Sequence, residues 1–341
     1  MISFQIGERK IENFGLPYII AEMNSSHNGN MDMARRMIDS AALCGCDAVK
    51  FQSWSADSLY SKNYYDENVI ARRMVQRFAL SPENLKVLAQ YSREKGIHFS
   101  STPYSKDEVD FLVDECNADF IKIASMDVNN YEFLEYVAKK NKPIILSTGM
   151  ASFEEVRMAM DTIMQYQENV CLLHCVSVYP VKNEGINLSR LQNLKEIFRE
   201  RPVGLSDHTQ GIIAAVCSVA MGSPIIEKHF TLDSGKIGWD NQMATEPEQM
   251  RELVYSCKEA YKARNMQDEH FVELENAQRN VMRRSIVAKH FMKQGYILQK
   301  EDVDVKRPGI GIPPSKMKNV IGKALRRDIQ ENEIIFQEDL I

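Results

Sequence analysis

Two histidines close two successive apolar runs late in the larger part of the chain. His208 follows the run at residues 202–207, His229 ends the run at residues 224–229, and a helix-length segment at residues 211–222 separates the two runs. In a chain that alternates strands and helices, neighbouring parallel strands present their C-terminal ends side by side, so both imidazoles can reach one small volume. Two neutral imidazoles suit a divalent ion of the zinc, manganese or iron kind. The pair predicts a metal site.

Two lysines lie within apolar strand-like runs. In residues 48–52, Val49 and Phe51 suit the helix side of a strand, which leaves Lys50 and Gln52 on the inside. In residues 120–124, the two isoleucines likewise leave Lys122 inside. A buried lysine is costly unless a partner compensates its charge. A structural ion pair would explain either lysine alone, whereas two lysines near one end of the strands favour an anion site.

Hydroxyl and carboxyl groups recur at the same strand ends. Hydroxyls there could cradle a phosphate or carboxylate beside the lysines. Glu22 ends the first run and Asp127 follows the fourth, where an acid can bind hydroxyl groups, act as a base or assist a metal. The hydroxyl-bearing residues are Thr102, Ser125, Ser147 and Ser177.

The elements that must position these residues are short apolar runs, each followed by a stretch with helical periodicity. About eight such units over residues 1–264 predict an α/β fold, a (β/α)₈ barrel. An open doubly wound sheet is the alternative, but it would more often carry a Gly-rich loop after the first strand, and residues 22–29 read EMNSSHNG. The predicted strands are residues 18–22, 47–52, 97–102, 119–124, 143–147, 170–177, 202–207 and 224–229.

The pattern changes after residue 264. Residues 265–282 are polar and charged, and we predict a linker with some helix there. Residues 283–341 are rich in Gly, Pro and short strand-like runs, and residues 295–303 resemble residues 332–340. This predicts a small, mainly β domain that packs on the barrel or on a partner chain.

Composition limits the class of protein. The chain has 341 residues and a net charge of −5, which gives no electrostatic reason to expect nucleic acid or an anionic membrane as a partner. No apolar run approaches the roughly 20 residues of a membrane span, and the N-terminus lacks the pattern of a signal peptide. Seven cysteines without a CxxC pair predict reduced, buried thiols in a cytoplasmic protein.

Together these motifs resemble the sialic acid synthase family, which includes the N-acetylneuraminate, legionaminate and pseudaminate synthases. The resemblance covers nearly the whole chain and includes a C-terminal module similar to the antifreeze-like or SAF domain. The matching segments are residues 21–22, 27–29, 49–52, 101–103, 122–125, 147–150, 179–180, 204–209, 227–230 and 306–309.

The resemblance implies a reaction and roles for particular residues. The family joins phosphoenolpyruvate to an N-acylated amino-hexose aldehyde, giving a nine-carbon 2-keto acid and phosphate. His208 and His229 match the ligands of a divalent metal, typically Mn²⁺, which polarises the aldehyde. Glu22 and Asp127 match acidic positions used in proton transfer, sugar binding and water activation. The phosphoenolpyruvate cradle corresponds to Lys50, Thr102, Lys122, Ser125, Ser147, Ser177 and Ser206, and the sugar contacts to Gln52, Tyr179, Asp240 and Arg307.

The resemblance also implies a domain-swapped homodimer, since Arg307 matches an arginine that the SAF module lends to the barrel of the other subunit. Three positions depart from the usual pattern: Ser26 stands where an Asn is usual, Asp127 where many bacterial members carry Glu, and Ser177 where some members carry Asn. The segment at residues 53–80, which contains Tyr60, is expected to shape the sugar end of the site.

Two other functions compete with this hypothesis. One is a related metal-dependent barrel enzyme that uses phosphoenolpyruvate or pyruvate with another aldose. The other is a catalytically silent sugar-binding protein with an SAF module, which would leave Lys50, Lys122 and both histidines without a reason to converge. The acceptor sugar itself stays open between N-acetylmannosamine, its 6-phosphate, a 2,4-diamino-trideoxymannose and the altrose isomer.

Overall fold

The computed structural model describes residues 4–265 and 269–341, and these two ranges form two compact units. The first unit contains a closed barrel of eight parallel strands, β3 to β10, in which β10 pairs with β3. The predicted α/β barrel fold is therefore confirmed, and the open doubly wound sheet is excluded. The barrel strands are Tyr18–Glu22 (β3), Ala48–Gln52 (β4), His98–Thr102 (β5), Phe120–Ile123 (β6), Ile144–Ser147 (β7), Val170–Cys175 (β8), Val203–Asp207 (β9) and Ile225–His229 (β10).

Helices cover the outside of the barrel, and local signals fix where several of them begin. Ser81 caps α5, which begins at Pro82, and Ser152 forms a capping box with Glu155 at the start of α8. The helices of this unit are Met31–Cys44 (α1), Ala56–Leu59 (α2), Lys62–Glu67 (α3), Val69–Phe78 (α4), Pro82–Glu94 (α5), Lys106–Asp110 (α6), Tyr131–Lys139 (α7), Phe153–Met164 (α8), Leu188–Ile197 (α9), Ile213–Ala220 (α10) and Pro247–Asn265 (α11).

The inside of the barrel changes from apolar to polar along its axis. Inward residues near the N-terminal ends of the strands, such as Ile20, Ala48 and Phe120, form one apolar cluster. Phe4 and Ile6 of the hairpin formed by β1 (Phe4–Ile6) and β2 (Arg9–Ile11) join this cluster, which fills that end of the barrel. Two residues further along the same strands, the inward side chains are Glu22, Lys50 and Lys122. The strand period of two thus leaves the C-terminal end for polar groups.

The second unit has its own apolar core. Helix α12 (Glu269–Met282) is followed by the antiparallel pair of β11 (Ser285–Ala288) and β12 (Val303–Lys306) and by the short helix α13 (Met317–Val320). The internal repeat forms one turn twice, because Asp302 accepts a hydrogen bond from the Gln299 N–H and Asp339 accepts one from the Phe336 N–H, each at 2.8 Å. Ile286, Leu298, Leu325, Ile329 and Ile335 are among its core residues.

The structure bears on two expectations from the sequence, that the chain has no membrane span and that its cysteines are reduced and buried. Within residues 4–265 and 269–341, no helix combines the length and apolar character that crossing a membrane requires. All seven cysteines lie in these ranges and are free, but Cys217 is exposed. The expectation that the thiols are buried is wrong at that position, because Cys217 lies on the outer face of α10, away from the buried Ala214 and Ala215.

Candidate active site

The C-terminal ends of the barrel strands surround a cavity of about 410 Å³. In a (β/α)₈ barrel this end is where functional side chains collect. All of the sequence-predicted site residues except Asp127 and Arg307 line the cavity: Glu22, Lys50, Gln52, Thr102, Lys122, Ser125, Ser147, Ser177, Tyr179, Ser206, His208, His229 and Asp240.

Four charged side chains form the floor of the cavity. The Lys50 ammonium pairs with the Glu22 carboxylate and lies 3.8 Å from Glu227 Oε2, while Lys122 Nζ lies 3.5 Å from Glu227 Oε1. All four side chains are at most 5 % exposed. We call Glu22, Lys50, Lys122 and Glu227 the charged floor. Each lysine has a carboxylate partner, which provides the compensation that buried ammonium groups require.

Burial and the neighbouring charges shift the pKa values of the charged floor in different directions. Burial disfavours the charged form of Glu227, but Lys122 and Lys50 outweigh it and hold the pKa of Glu227 below its usual value. For Glu22, burial prevails over Lys50, and the pKa is raised. Burial also lowers the pKa of Lys122 despite Glu227. An arriving anion would thus meet two buried lysines that are each already paired with a carboxylate.

Glu227 is the member of the floor to which the sequence reasoning assigned no role, although it begins the matching segment at residues 227–230. It accepts a hydrogen bond of 2.9 Å from Ser206 Oγ and lies between both lysines. Parity along the strand already indicates its direction, because Glu227 precedes His229 by two positions on β10 and therefore faces the same interior.

The two predicted metal ligands lie together, as the strand order requires. The imidazole centroids of His208 and His229 are 5.3 Å apart, and the Tyr179 ring lies 4.3 Å from His208 and 6.0 Å from His229. His208 Nδ1 lies 2.8 Å from the Val176 carbonyl, a contact that places the proton on Nδ1 and leaves Nε2 free as a ligand atom.

The protonation of these imidazoles is compatible with a metal. Burial, His208 and Lys50 hold the pKa of His229 well below its usual value, so this imidazole is neutral. Burial also disfavours the charged form of His208, but the nearby Cys175 and the Val176 carbonyl raise its pKa, so a cation would displace a proton there. Within the described ranges no group of three His, Cys, Asp or Glu residues has metal-binding geometry. The residues fit a divalent ion that takes its remaining ligands from substrate or water.

The predicted hydroxyls converge beside a glycine. Gly149 N–H donates to Ser125 Oγ at 2.9 Å. A Cβ on Gly149 would lie 2.4 Å from Ser177 Oγ and 2.9 Å from Ser125 Oγ, so only glycine leaves this corner open. The buried Ser147 Oγ has no hydrogen-bond partner among the described residues. These hydroxyls can receive an oxyanion without moving the backbone.

Beyond the strand ends, polar side chains connect the floor to the loops. Gln52 Nε2 donates to Glu22 Oε1 at 3.0 Å, and the Tyr104 hydroxyl donates to Gln52 Oε1 at 3.0 Å. The amide of Asn24 donates to Asp240. Gln52 and Asp240 therefore take part in networks whose other members, Tyr104 and Asn24, the sequence did not identify.

Aromatic rings form the outer wall of the cavity. The Trp54 ring centroid is 6.0 Å from that of Tyr104 and 6.0 Å from that of Trp239. Tyr60 lines the cavity as well. We call Trp54, Tyr60, Tyr104 and Trp239 the aromatic mouth. Of these four residues, only Tyr60 was predicted by name, because Trp54 and Tyr104 lie in loops beyond the strand ends.

Asp127 and Arg307 do not line the cavity. Asp127 ends the short 3₁₀ turn Ser125–Asp127 and accepts a hydrogen bond of 3.1 Å from Asn130, and burial raises its pKa. Its charge also contributes to the raised pKa of Tyr104, which places it near the aromatic mouth. Arg307 belongs to the second unit, where it is exposed just after β12.

Comparisons with known proteins agree with this architecture. A sequence model described as the NeuB family matches residues 37–269, and one for the SAF domain matches residues 283–341. The chain is 35% identical to N,N'-diacetyllegionaminic acid synthase of Legionella pneumophila, over 95% of this chain and 94% of that protein. It is 31% identical to human N-acetylneuraminate-9-phosphate synthase, over 94% and 92% of the two chains. The structure of an N-acetylneuraminic acid synthetase from Leptospira borgpetersenii aligns with a TM-score of 0.74 at 33% identity, covering 81% of this chain and 96% of that one.

Proposed function

Because the chain belongs to the NeuB family, with a C-terminal SAF domain, we propose that it is a nonulosonic acid synthase. It joins phosphoenolpyruvate to the aldehyde of an N-acylated amino hexose and releases phosphate by C–O cleavage. One observation carries the proposal: two buried lysines, a group of hydroxyls and two imidazoles line a single cavity. An anionic substrate and an aldehyde can therefore be held side by side.

The charged floor and the hydroxyls would bind phosphoenolpyruvate. Lys50 and Lys122 supply the positive charge, and Ser125, Ser147 and Ser177 supply hydrogen-bond donors around the corner that Gly149 leaves open. Thr102 Oγ1 accepts a hydrogen bond of 3.0 Å from Lys50 and holds its ammonium in place. Buried and fixed, these groups would need little rearrangement when the substrate arrives.

His208 Nε2 and His229 would hold a divalent ion, for which we propose Mn²⁺. When bound, the ion supplies Lewis acidity to the aldehyde oxygen. The chain's own residues orient the partners: Tyr179 packs against both imidazoles, and Gln52 reaches from the floor toward the sugar.

The bonds that form and break in this reaction suggest a role for each carboxylate. C3 of phosphoenolpyruvate forms a bond to the aldehyde carbon, whose oxygen takes up a proton. Water adds at C2, where positive charge develops, and the C2–O bond to phosphate breaks. Glu227, held charged by its lysines, would stabilise that positive charge, and Glu22 would move a proton from water or to the new hydroxyl. Asp127 does not line the cavity, so its proposed role in proton transfer rests on the family resemblance alone.

The proposal is tested by product formation. The purified protein, phosphoenolpyruvate, Mn²⁺ and an amino sugar together should yield phosphate and a 2-keto sugar acid detected by mass, and leaving out any one component should stop both. His208→Ala and His229→Ala should each lower activity at least 100-fold, because each removes one ligand of a two-histidine site. His290→Ala, at an exposed position in the second unit, is the control.

Three results would contradict this function. Phosphate release without a new sugar acid would exclude the condensation, and full activity of both histidine variants would exclude the metal role. Product formed from pyruvate in place of phosphoenolpyruvate would instead support a metal-dependent aldolase.

A further inference from the structure

A buried ion pair joins the two strands that carry the histidines. Asp207 ends β9 and precedes His208, and Lys228 precedes His229 on β10. The Lys228 ammonium lies 2.8 Å from Asp207 Oδ2, and both side chains are at most 1 % exposed. Neither residue lines the cavity, and the proposed reaction gives neither charge a role. The ion pair therefore needs an explanation of its own.

The ion pair lies in an apolar layer. Parity places Asp207 and Lys228 on the side of the sheet that faces the helices, as it does Leu205 and Ile226 two positions earlier on the same strands. Leu205 and Ile226 belong to the apolar core between the strands and the surrounding helices. Removing two charges from water costs much of what their attraction returns, and an apolar pair of similar volume is often as stable. Stability alone thus does not account for charges at this place.

Hydrogen bonds extend the ion pair to both sides of His208. Lys228 Nζ donates to the Thr209 carbonyl as well as to Asp207, and the Thr209 N–H donates to Asp207 Oδ1 at 2.8 Å. The residues before and after His208 are thus both bonded to the residue before His229. We call Asp207, Thr209 and Lys228 the cross-strand link.

The cross-strand link lies where the backbone pairing of the two strands stops. Among the described residues, the pairing of β9 with β10 ends at Asp207 and Lys228. His229 pairs instead with Glu22 of β3, so the sheet does not fix it relative to His208. The side-chain bonds of the link therefore connect the two histidine-bearing segments at the level where their imidazole centroids are 5.3 Å apart.

We propose that Asp207 and Lys228 are positioning residues, which hold His208 and His229 at the separation and orientation needed to bind one divalent cation together. The inference rests on the metal role of the histidines in the proposed function, and it adds two residues that act through the backbone. Removing a group that orients metal-binding histidines typically weakens metal binding by about 10–100-fold. An ion pair with a structural role alone would change stability and leave the metal affinity as it is.

A double variant without either charge, Asp207→Asn with Lys228→Met, tests this role. Asparagine can still accept the hydrogen bond from the Thr209 N–H, so the variant removes the bonds across the strands and leaves no unpaired charge. Calorimetric titration of Mn²⁺ into the metal-free protein should show binding at least tenfold weaker than in the wild type. The Mn²⁺ concentration that gives half-maximal activity should rise equally. At saturating Mn²⁺, kcat should recover, and the KM for phosphoenolpyruvate should change less than twofold.

The same substitutions in another ion pair, Arg9→Met with Asp47→Asn, provide the matched control. Asp47 pairs with Arg9 and also accepts a hydrogen bond of 2.7 Å from the Ile19 N–H, so this pair too is bonded to a strand backbone. It lies at the opposite end of the barrel, because Asp47 directly precedes β4. The control variant should have a lower melting temperature and an unchanged Mn²⁺ affinity.

A second variant, Asp207→Asn with Lys228→Gln, retains a hydrogen-bond donor on β10 and covers the case in which the methionine variant does not fold. Its Mn²⁺ affinity should lie between those of the wild type and the methionine variant, because the shorter amide cannot replace both bonds of Lys228. Wild-type affinity in the methionine variant, or in the glutamine variant where that one alone folds, would overturn the inference and leave the synthase function intact. A wild-type protein that neither binds Mn²⁺ nor depends on it for activity would overturn the metal role as well.

Discussion

Position along a strand determines which single residues face the cavity, and the same rule explains both Lys50 and Glu227. Each lies two positions before another inward residue on the same strand, Lys50 before Gln52 and Glu227 before His229. Gly149 acts in a different way. It contributes by the absence of a side chain, since its missing Cβ leaves room among the hydroxyls of Ser125 and Ser177.

Gly149→Ala should therefore damage anion binding specifically. The methyl group would lie 2.4 Å from Ser177 Oγ and must displace that hydroxyl, so the KM for phosphoenolpyruvate should rise at least tenfold. The KM for the sugar and the melting temperature should change little. Steady-state kinetics with each substrate varied in turn give the answer. Gly235→Ala, in an exposed turn, is the matched control, and an unchanged KM for phosphoenolpyruvate would argue against the role of this corner.

At the scale of elements, helix α9 carries Lys195, a lysine whose positive charge is disfavoured by its surroundings and which has no role in the proposed reaction. Lys195 donates to the Met221 carbonyl at 2.8 Å, and its Nζ lies 4.9 Å from the Phe14 ring centroid. The Arg264 Cζ lies 3.8 Å from the centroid of the same ring. Burial and the charge of Arg264 lower the pKa of Lys195 to about 7. The charged form of this lysine is thus disfavoured by folding.

This shift predicts a pH-dependent stability. Because the pKa is lower in the folded chain than in the unfolded one, the penalty is complete below about pH 7 and fades as the pH rises toward about 10. Lys195→Met should raise the free energy of unfolding by about 1–3 kcal/mol at pH 6 and by much less at pH 10. Denaturant unfolding at both values measures the difference. The exposed Lys62→Met is the control, and an equal effect at both pH values would contradict the shift.

At the scale of the whole molecule, the chain combines a barrel that carries the cavity with a separate small unit that carries Arg307. Among the described residues, those that line the cavity belong to the first unit. The SAF unit has its own core and presents Arg307 on an exposed segment after β12. A domain-swapped homodimer, in which each SAF unit serves the other subunit's barrel, would connect these two facts, and it remains a proposal.

Subunit exchange tests that arrangement. Chains with Arg307→Ala and chains with His229→Ala should each be inactive as pure dimers. After exchange at equal amounts, about a quarter of the sites combine an intact barrel with a partner's intact arginine, so about a quarter of wild-type activity should return. Mixing His229→Ala chains with chains that carry both substitutions is the control and should restore nothing. No recovery in verified heterodimers would show that the arginine does not act across subunits.

Much of this molecule follows from its sequence. The alternation of apolar runs and helical segments determined the barrel, and the period of two along each strand determined that Lys50, Lys122, His208 and His229 point inward at one end. Both are local patterns, which a chain imposes before any distant contact forms.

The tertiary structure alone decided the rest. Asn24, Trp54, Tyr104 and Trp239 lie in loops, where no period relates position to direction, so only the packed loops show that they form one wall. The open corner at Gly149 and the pKa of Lys195 depend on atoms from other elements that surround them. Burial and nearby charge depend on residues that are distant in the sequence and meet only in the folded chain, so they cannot be read from the order of the residues.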